Sequence, residues 1–209
     1  SNRGLCGGFN SSIVKEIQRL TNEDYAGKNV HILTVGKKGR DLLKSRKLET
    51  NQGELPEDLE KVWDSVDFET VAPIAEMIMD AFVAGTYDKV VVIYNKFKNA
   101  AVQEVTPEQF LPVLPPESND SASGDYIFEP NKSEIVEDLI PKSLKIQFYK
   151  AILDSHASEH GARMTAMHKA TDNAGELKRE LTLHYNKARQ AAITNEILEI
   201  VGGAEALNN

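Results

Sequence analysis

The chain has 209 residues, of which 41% are hydrophobic and 27% charged, so it is typical of a globular protein with one or two domains. Its formal net charge of -8 argues against a general affinity for nucleic acid or for anionic membrane surfaces, because both need clustered Lys and Arg. No apolar run approaches the roughly 20 residues of a membrane span, no signal or transit segment is recognisable, and a single cysteine excludes an internal disulfide.

The first part of the chain is predicted to alternate helices with short strands. The glycine turn RGLCGGFN leads into a helix that Asn10 or Ser11 could cap, and a buried strand at 30–36 precedes a short helix at 37–46. A weaker strand pattern lies in VWDSVDFE, and a helix is expected over 71–85. Glycine turns of this kind usually follow a strand, so we expect the natural protein to begin further upstream.

The middle of the chain contains the clearest strand pattern, KVVVIYNKF at 89–97. The turn NKFKNA and the segment AAVQEVTPEQFLPV behind it predict an antiparallel hairpin at the end of an otherwise parallel sheet. A polar loop at 115–124 and a short strand-like piece, DYIFEPN, follow. Beyond Ser133 the pattern is helical, with Pro141 marking a kink or a fresh start. We therefore predict an α/β domain at 1–130 and a long helix at 131–209.

The long helix carries a narrow stripe of small and apolar residues. From Pro141 to Leu207 it would extend roughly 100 Å at about 1.5 Å per residue. Stripe positions recur three and four apart, which is typical of a coiled-coil seam. Alanine in a seam lets two backbones approach closely but buries little area, so we expect a slender paired rod. The seam residues are Met167, Ala170, Ala174, Leu177, Leu181, His184, Ala188 and Ala191.

A second apolar stripe occupies the end of the helix. An exposed stripe of this kind would aggregate, so either partners cover it or the end folds back on its own domain. No turn signal interrupts the helix before Gly202, which disfavours folding back. The residues of this tip are Ile193, Ile197, Ile200, Val201, Ala204 and Leu207, with Leu198 widening the stripe.

Just before the tip, the string NKARQAAIT projects polar groups from neighbouring turns. Lys187, Arg189, Gln190 and Thr194 could form an ordinary solvated face, since exposed charges usually contribute little. Alternatively, they could form hydrogen bonds with a partner that must grip and release the rod.

Three other motifs are weaker. RGLCGGFN lacks the Lys and Ser/Thr of a phosphate-binding loop, and Cys6 is expected to be a buried small side chain rather than a nucleophile. His156 and His160 are four apart on a helix, a spacing that two metal ligands can have, but no acidic motif lies nearby. The sequence therefore predicts neither a metal nor a cofactor.

Several strings together resemble one family: SNRGLCGGFN, YNKF, YIFEP, ARMTAM, ATDNAGEL and YNKARQAAITNEILEIVGGAEAL. Over essentially the whole chain the sequence resembles the gamma subunits of the rotary proton-translocating ATP synthase. The resemblance implies a Rossmann-like three-layer α/β domain at the foot of a shaft, and a C-terminal helix that is half of an antiparallel coiled coil. The N-terminal helix and first strand of that family are absent from this sequence.

The resemblance also implies roles for particular residues. Arg189, Gln190 and Thr194, with Lys187 beside them, would contact the catch loop of a beta subunit. The tip would turn in an apolar sleeve at the top of the alpha-beta ring. Tyr126 and Glu129 would lie at the foot, near the membrane rotor ring and the epsilon subunit.

The function that the resemblance implies is torque transmission without chemistry. The chain would be a non-catalytic central stalk that couples proton transport to ATP synthesis or hydrolysis. Its partners would be the alpha and beta subunits, epsilon and the membrane rotor ring, at the cytoplasmic face of a bacterial plasma membrane or the organellar equivalent. It would associate with the membrane only through the complex. The competing hypothesis is a small nucleotide-binding α/β enzyme with a helical dimerisation arm.

Overall fold

A computed structural model gives the fold, and the structure describes residues 1–46, 48, 56, 59–114, 129 and 131–207. Their helices and strands form a small α/β assembly followed by one very long helix. The chain divides into two compact units, Ser1–Thr165 and Ala166–Asn209. The elements are α1 (Phe9–Asn22), α2 (Lys37–Ser45), a 3-10 turn (Glu60–Trp63), α3 (Phe68–Val83), β1 (Val90–Phe97), β2 (Gln103–Leu111) and α4 (Lys132–Leu207).

The predicted hairpin is confirmed. β1 and β2 pair antiparallel in a register that runs from Val90 opposite Leu111 to Phe97 opposite Gln103. The Asn99 side chain closes the turn, because its Oδ1 accepts a hydrogen bond from the backbone N–H of Val102 at 2.8 Å. In the described residues this two-stranded pair is the whole sheet, so the expected parallel sheet beside it is not observed.

The prediction of a buried strand at 30–36 is wrong for the described structure, which assigns no strand there. The apolar run does pack inward, since Leu33 and Val35 lie against the core. Its carbonyl at Val35 accepts from the indole N–H of Trp63 at 3.2 Å, in place of a strand partner. A run of β-branched residues indicates that a segment is buried. A strand forms only where a neighbouring strand also offers backbone groups for hydrogen bonds. The weaker strand pattern in VWDSVDFE is a 3-10 turn and the start of α3.

The helix starts differ in how they are capped. The predicted cap of α1 is wrong: Gly8 holds that position without a side-chain bond, and Asn10 and Ser11 lie inside the helix. α3 begins with a capping interaction that the sequence analysis did not identify, in which the Asp67 carboxylate accepts from the backbone N–H of Thr70 at 2.8 Å.

The core forms where α3, the hairpin and the first part of α4 meet. Side chains of α4 recur there every three or four residues, which is the spacing of one buried helix face. The first compact unit, Ser1–Thr165, includes this part of α4. The predicted division of the chain into domains at 1–130 and 131–209 stays a prediction. The buried residues of this cluster are Val62, Val71, Ile74, Ala75, Ile78, Phe110, Leu111, Leu144, Phe148 and Ile152.

The hairpin turn is fixed against α4 by close backbone contact. Ser158 is fully buried, and its hydroxyl donates to the carbonyl of Asn95 at 2.9 Å. About two turns further along, Thr165 donates to the carbonyl of Ala100 at 3.0 Å. Between them lies Gly161, where an added Cβ would come within 3.1 Å of the Ala100 Cα. This glycine allows the turn to approach the helix.

We predict that Gly161→Ala lowers the free energy of unfolding of the compact unit. The added methyl group meets hydrogen-bonded backbone, and overpacking of this kind costs about 1–3 kcal/mol, which outweighs the roughly 1 kcal/mol that alanine contributes to helix propensity. Denaturant unfolding measures the difference.

Gly175→Ala, in the same helix, is the matched control. A Cβ there meets nothing within 4 Å, so it should only raise helicity, by up to about 1 kcal/mol, as followed by far-UV circular dichroism. A Gly161→Ala variant at least as stable as the parent would contradict the proposed close packing.

Candidate partner-binding helix

The second compact unit is helical and buries almost nothing. From Met167 to Ala206 every described side chain is exposed, although the earlier part of the same helix contributes Leu144, Phe148 and Ile152 to the core. A helix without tertiary contacts is only marginally stable in water. We therefore expect this surface to be stabilised by contacts from outside the described residues.

The seam forms a continuous apolar strip on this helix. Leu177 and Leu181 are 55% and 60% exposed, far more than is usual for leucine in a folded domain. Together with Ala174 and Tyr185 they line a shallow groove that Lys178 and Thr182 border. The remaining predicted seam residues are also exposed: Met167, Ala170, His184, Ala188 and Ala191.

The tip stripe faces a different direction from the seam. At roughly 100° per residue, the stripe of Ile193, Ile197 and Ile200 is turned by roughly 150° from the seam around the helix axis. Ile200 is 66% exposed, and Leu198, Val201 and Ala204 are exposed as well. Leu207 ends the helix, and its side chain lies outside the described residues. One straight neighbouring helix cannot cover both stripes.

The polar cluster divides into two faces. Lys187, Gln190 and Thr194 fall within about one sixth of a turn of each other, while Arg189 is roughly 100° away from Gln190. The Thr194 hydroxyl donates to the carbonyl of Gln190 at 2.9 Å, so it is left to act toward a partner mainly as an acceptor. Neither Lys187 nor Arg189 forms an ion pair with any described residue.

The structure describes only one of the two residues predicted to lie at the foot of the stalk. Tyr126 lies outside the described residues, and Glu129 is described singly, with an exposed side chain. Their role remains a prediction.

The glycine turn at the start of the chain is structural. Cys6 is buried, the amide of Asn10 donates to its sulfur at 3.2 Å, and burial raises the pKa of the Cys6 thiol. A thiol with a raised pKa is less nucleophilic at neutral pH, as expected for a packed small side chain. Nothing in this turn favours the nucleotide-binding alternative.

The described residues lack two features that other functions would need. They contain no helix long and apolar enough to cross a membrane. In the same part of the chain, no three His, Cys, Asp or Glu side chains come together as metal ligands.

The sequence analysis missed Tyr185, which is 68% exposed and borders the seam groove. Its position one turn after Leu181 could have identified it from the sequence. An exposed aromatic ring with a polar end is typical of residues that anchor protein interfaces.

These features define a class of protein: an assembly subunit in which an α/β unit is followed by a long helix with no core of its own. A sequence profile of the ATP synthase family matches residues 1–207. The chain is 61% identical to the ATP synthase gamma chain of Flavobacterium johnsoniae, over 100% of this chain and 71% of that one. It is 50% identical to that of Cytophaga hutchinsonii, over 100% of this chain and 72% of the relative. The chain belongs to the family of ATP synthase gamma chains.

Solved structures of central stalks have a similar fold. The mitochondrial ATP synthase central stalk and c-ring structure of Tetrahymena thermophila matches with a TM-score of 0.57 and 28% identity, over 82% of this chain and 73% of that chain. A chain of the Euglena gracilis mitochondrial ATP synthase, in a structure of OSCP, F1 and the c-ring, matches with a TM-score of 0.64. That match covers 99% of this chain and 70% of the other at 20% identity, so it concerns the fold alone.

We predict that replacing Leu177 and Leu181 together by serine leaves the stability of the isolated chain within about 0.5 kcal/mol, as for surface substitutions generally. Leu144→Ala, on the buried part of the same helix, should cost about 2–5 kcal/mol. Thermal unfolding compares the variants. A large loss for the double variant would mean that the seam is already covered within the chain.

Proposed function

We propose that this chain is the rotating central stalk of an ATP synthase, which transmits torque between the membrane rotor ring and the catalytic alpha-beta hexamer. In this role it couples proton transport to ATP synthesis or hydrolysis and performs no chemistry itself. The observation that carries the proposal is the exposed unit of α4, with its apolar seam and its separately oriented apolar tip. Family membership supports the assignment, because the relatives are gamma chains of the same complex.

The two stripes call for two kinds of cover. An alanine-rich seam accepts a second helix at close range, so we assign it to an antiparallel coiled coil with another helix of the gamma subunit. The tip stripe is turned away from that helix and is left for a surrounding surface. We assign it to a sleeve formed by the alpha and beta subunits.

The apolar tip and the polar cluster are suited to different kinds of contact. An apolar tip makes few directional bonds, so its contact energy varies little as the shaft turns. Lys187, Arg189, Gln190 and Thr194 offer hydrogen bonds and charges instead, and such contacts are strong only at particular angles. We assign these four residues to a beta-subunit catch loop, where angle-dependent contact is useful.

Torque follows from the asymmetry of the shaft. Each angle brings different gamma residues against each beta subunit, and those differences in contact free energy bias beta between its open and closed states. By reciprocity, a nucleotide that closes beta pushes the shaft toward the angle that closed beta prefers. The coupling is no larger than the difference in contact free energy between angles.

The α/β unit is assigned to the foot of the stalk. We propose that it adopts the Rossmann-like three-layer arrangement of the family in the assembled protein. Tyr126 and Glu129 are assigned to contacts with the rotor ring and the epsilon subunit. The complex would hold the chain at the cytoplasmic face of the plasma membrane without a membrane segment of its own.

Deleting residues 193–209 tests the sleeve. We expect the truncated chain to lose most of its binding to a purified alpha-beta hexamer in a pull-down, because the tip supplies most of the apolar contact area in the sleeve. Truncation leaves the buried part of α4 intact, so folding of the compact unit serves as the control. Equal capture of the two chains would exclude the sleeve assignment.

The combined variant Gln190→Ala and Thr194→Ala tests the catch. Both side chains lie on one face, so we expect ATPase turnover of a reconstituted complex to fall more in the double variant than in either single variant. Thr171→Ala, an exposed threonine of the same helix whose hydroxyl likewise donates to the carbonyl four residues earlier, is the control for general disturbance of the helix. Unchanged turnover in the double variant would remove these side chains from the coupling mechanism.

A further inference from the structure

Two histidines on the buried part of α4 form a contact that the proposed rotor function does not use. The Nε2 atoms of His156 and His160 lie 3.3 Å apart, and their rings meet edge to face with centroids separated by 4.7 Å. His160 is exposed and His156 is half-buried, so the space beside the two nitrogens is open to solvent on the His160 side. From the sequence alone this pair is not predicted to bind a metal, because no acidic motif lies nearby.

The separation of the two nitrogens matches that of two ligands on one metal ion. Imidazole nitrogens bind Zn²⁺ at about 2.0–2.1 Å, and two such nitrogens on a tetrahedral ion are therefore about 3.3 Å apart. The histidines are four residues apart, so both project from the same face of the helix. Small side-chain rotations would direct both lone pairs to one point.

The surroundings hold this part of the helix in place. Ser155, which precedes His156, and Ser158 and Glu159, which lie between the two histidines, are buried. On the outer side, the Trp63 ring lies 5.7 Å from that of His156, tilted by 31°. The backbone that carries both ligands is thus fixed by packing, and the Trp63 ring shields one side of the pair. Preorganised ligands reduce the entropy lost on binding.

We propose that His156 and His160 form a two-nitrogen binding site for a divalent late transition metal ion, with Zn²⁺ or Cu²⁺ as the class of ion it accepts. Imidazole nitrogen suits these ions, and water would fill the remaining coordination positions. A site with two protein ligands and open positions binds reversibly.

Metal binding requires the protons of the two imidazole rings to be placed on Nδ1. In the metal-free pair, one imidazole donates a hydrogen bond from Nε2 and the other accepts it. On binding, each ring must present an unprotonated Nε2 and carry its proton on Nδ1. The donating ring therefore changes tautomer through solvent, and no oxidation or reduction is involved.

The single tryptophan of the chain supplies a direct readout. Cu²⁺ has an open d shell and quenches nearby indole fluorescence, whereas Zn²⁺, with its filled d shell, does not. We expect Cu²⁺ to quench Trp63 saturably at one equivalent in the full 209-residue chain. Excess Zn²⁺ should restore the fluorescence if both ions occupy the same site.

His160→Gln tests the assignment, because His160 is exposed and does not stack on Trp63. Removing one of two ligands should raise the Cu²⁺ concentration for half-quenching at least roughly tenfold, since even outer-shell changes cost 10–100-fold. His168→Gln, an exposed histidine on the same helix, is the control and should leave the curve unchanged. The proposal is overturned if His160→Gln quenches like the parent chain, if His168→Gln shifts the curve equally, or if Zn²⁺ fails to restore fluorescence.

Discussion

The structure depends on one change along a single helix: α4 packs against a core up to Thr165 and then continues with no buried face. The first part contributes Leu144, Phe148 and Ile152 to the core, which fixes that part of the helix. The second part has apolar side chains in helical register, but the described chain provides nothing that covers them. A helix in water gains little from its own hydrogen bonds, so we expect the second part to depend on contacts from outside the described residues.

The composition of the exposed unit separates its proposed tasks. Small side chains such as Ala170 and Ala174 permit close approach and keep a paired rod thin. Larger side chains such as Ile197 and Ile200 enlarge the apolar surface where the tip would turn inside a sleeve. Between them, Gln190 and Thr194 offer hydrogen bonds that are strong only at particular angles. These residues overlap along the helix but point in different directions around its axis, so a single substitution can disturb one kind of contact with little effect on the others.

The hairpin and helices α2 and α3 could be read from the sequence because their signals are local. A strand pattern ending in NKFKNA defines a turn, and Gly85 ends the pattern of α3. The segment at 30–36 was misread, because its β-branched residues reveal burial but not a hydrogen-bonding partner. The buried part of α4 was not separated from the exposed part, since both follow the same helical period. Only tertiary contacts distinguish Leu144 from Leu177.

In the candidate site, too, some features follow from residue spacing and others depend on side-chain geometry. The seam and tip residues were chosen by their spacing, and those whose side chains the structure describes are exposed. Their contacts with partners stay a prediction. Tyr185 and the hydrogen bond within the Thr194 turn were not predictable, because both depend on side-chain geometry. The assignment of the polar cluster to a beta subunit came from family resemblance alone.

Hydrogen exchange measures the central claim most directly, because it reports the stability of each part of α4 separately. In the isolated chain we expect the amides of residues 144–165 to be protected and those of residues 168–207 to exchange nearly as fast as in an unfolded peptide. Adding the alpha-beta hexamer should slow exchange in residues 187–207 and leave residues 144–165 unchanged. Equal protection of both parts in the isolated chain, with no change on adding the hexamer, would contradict the account.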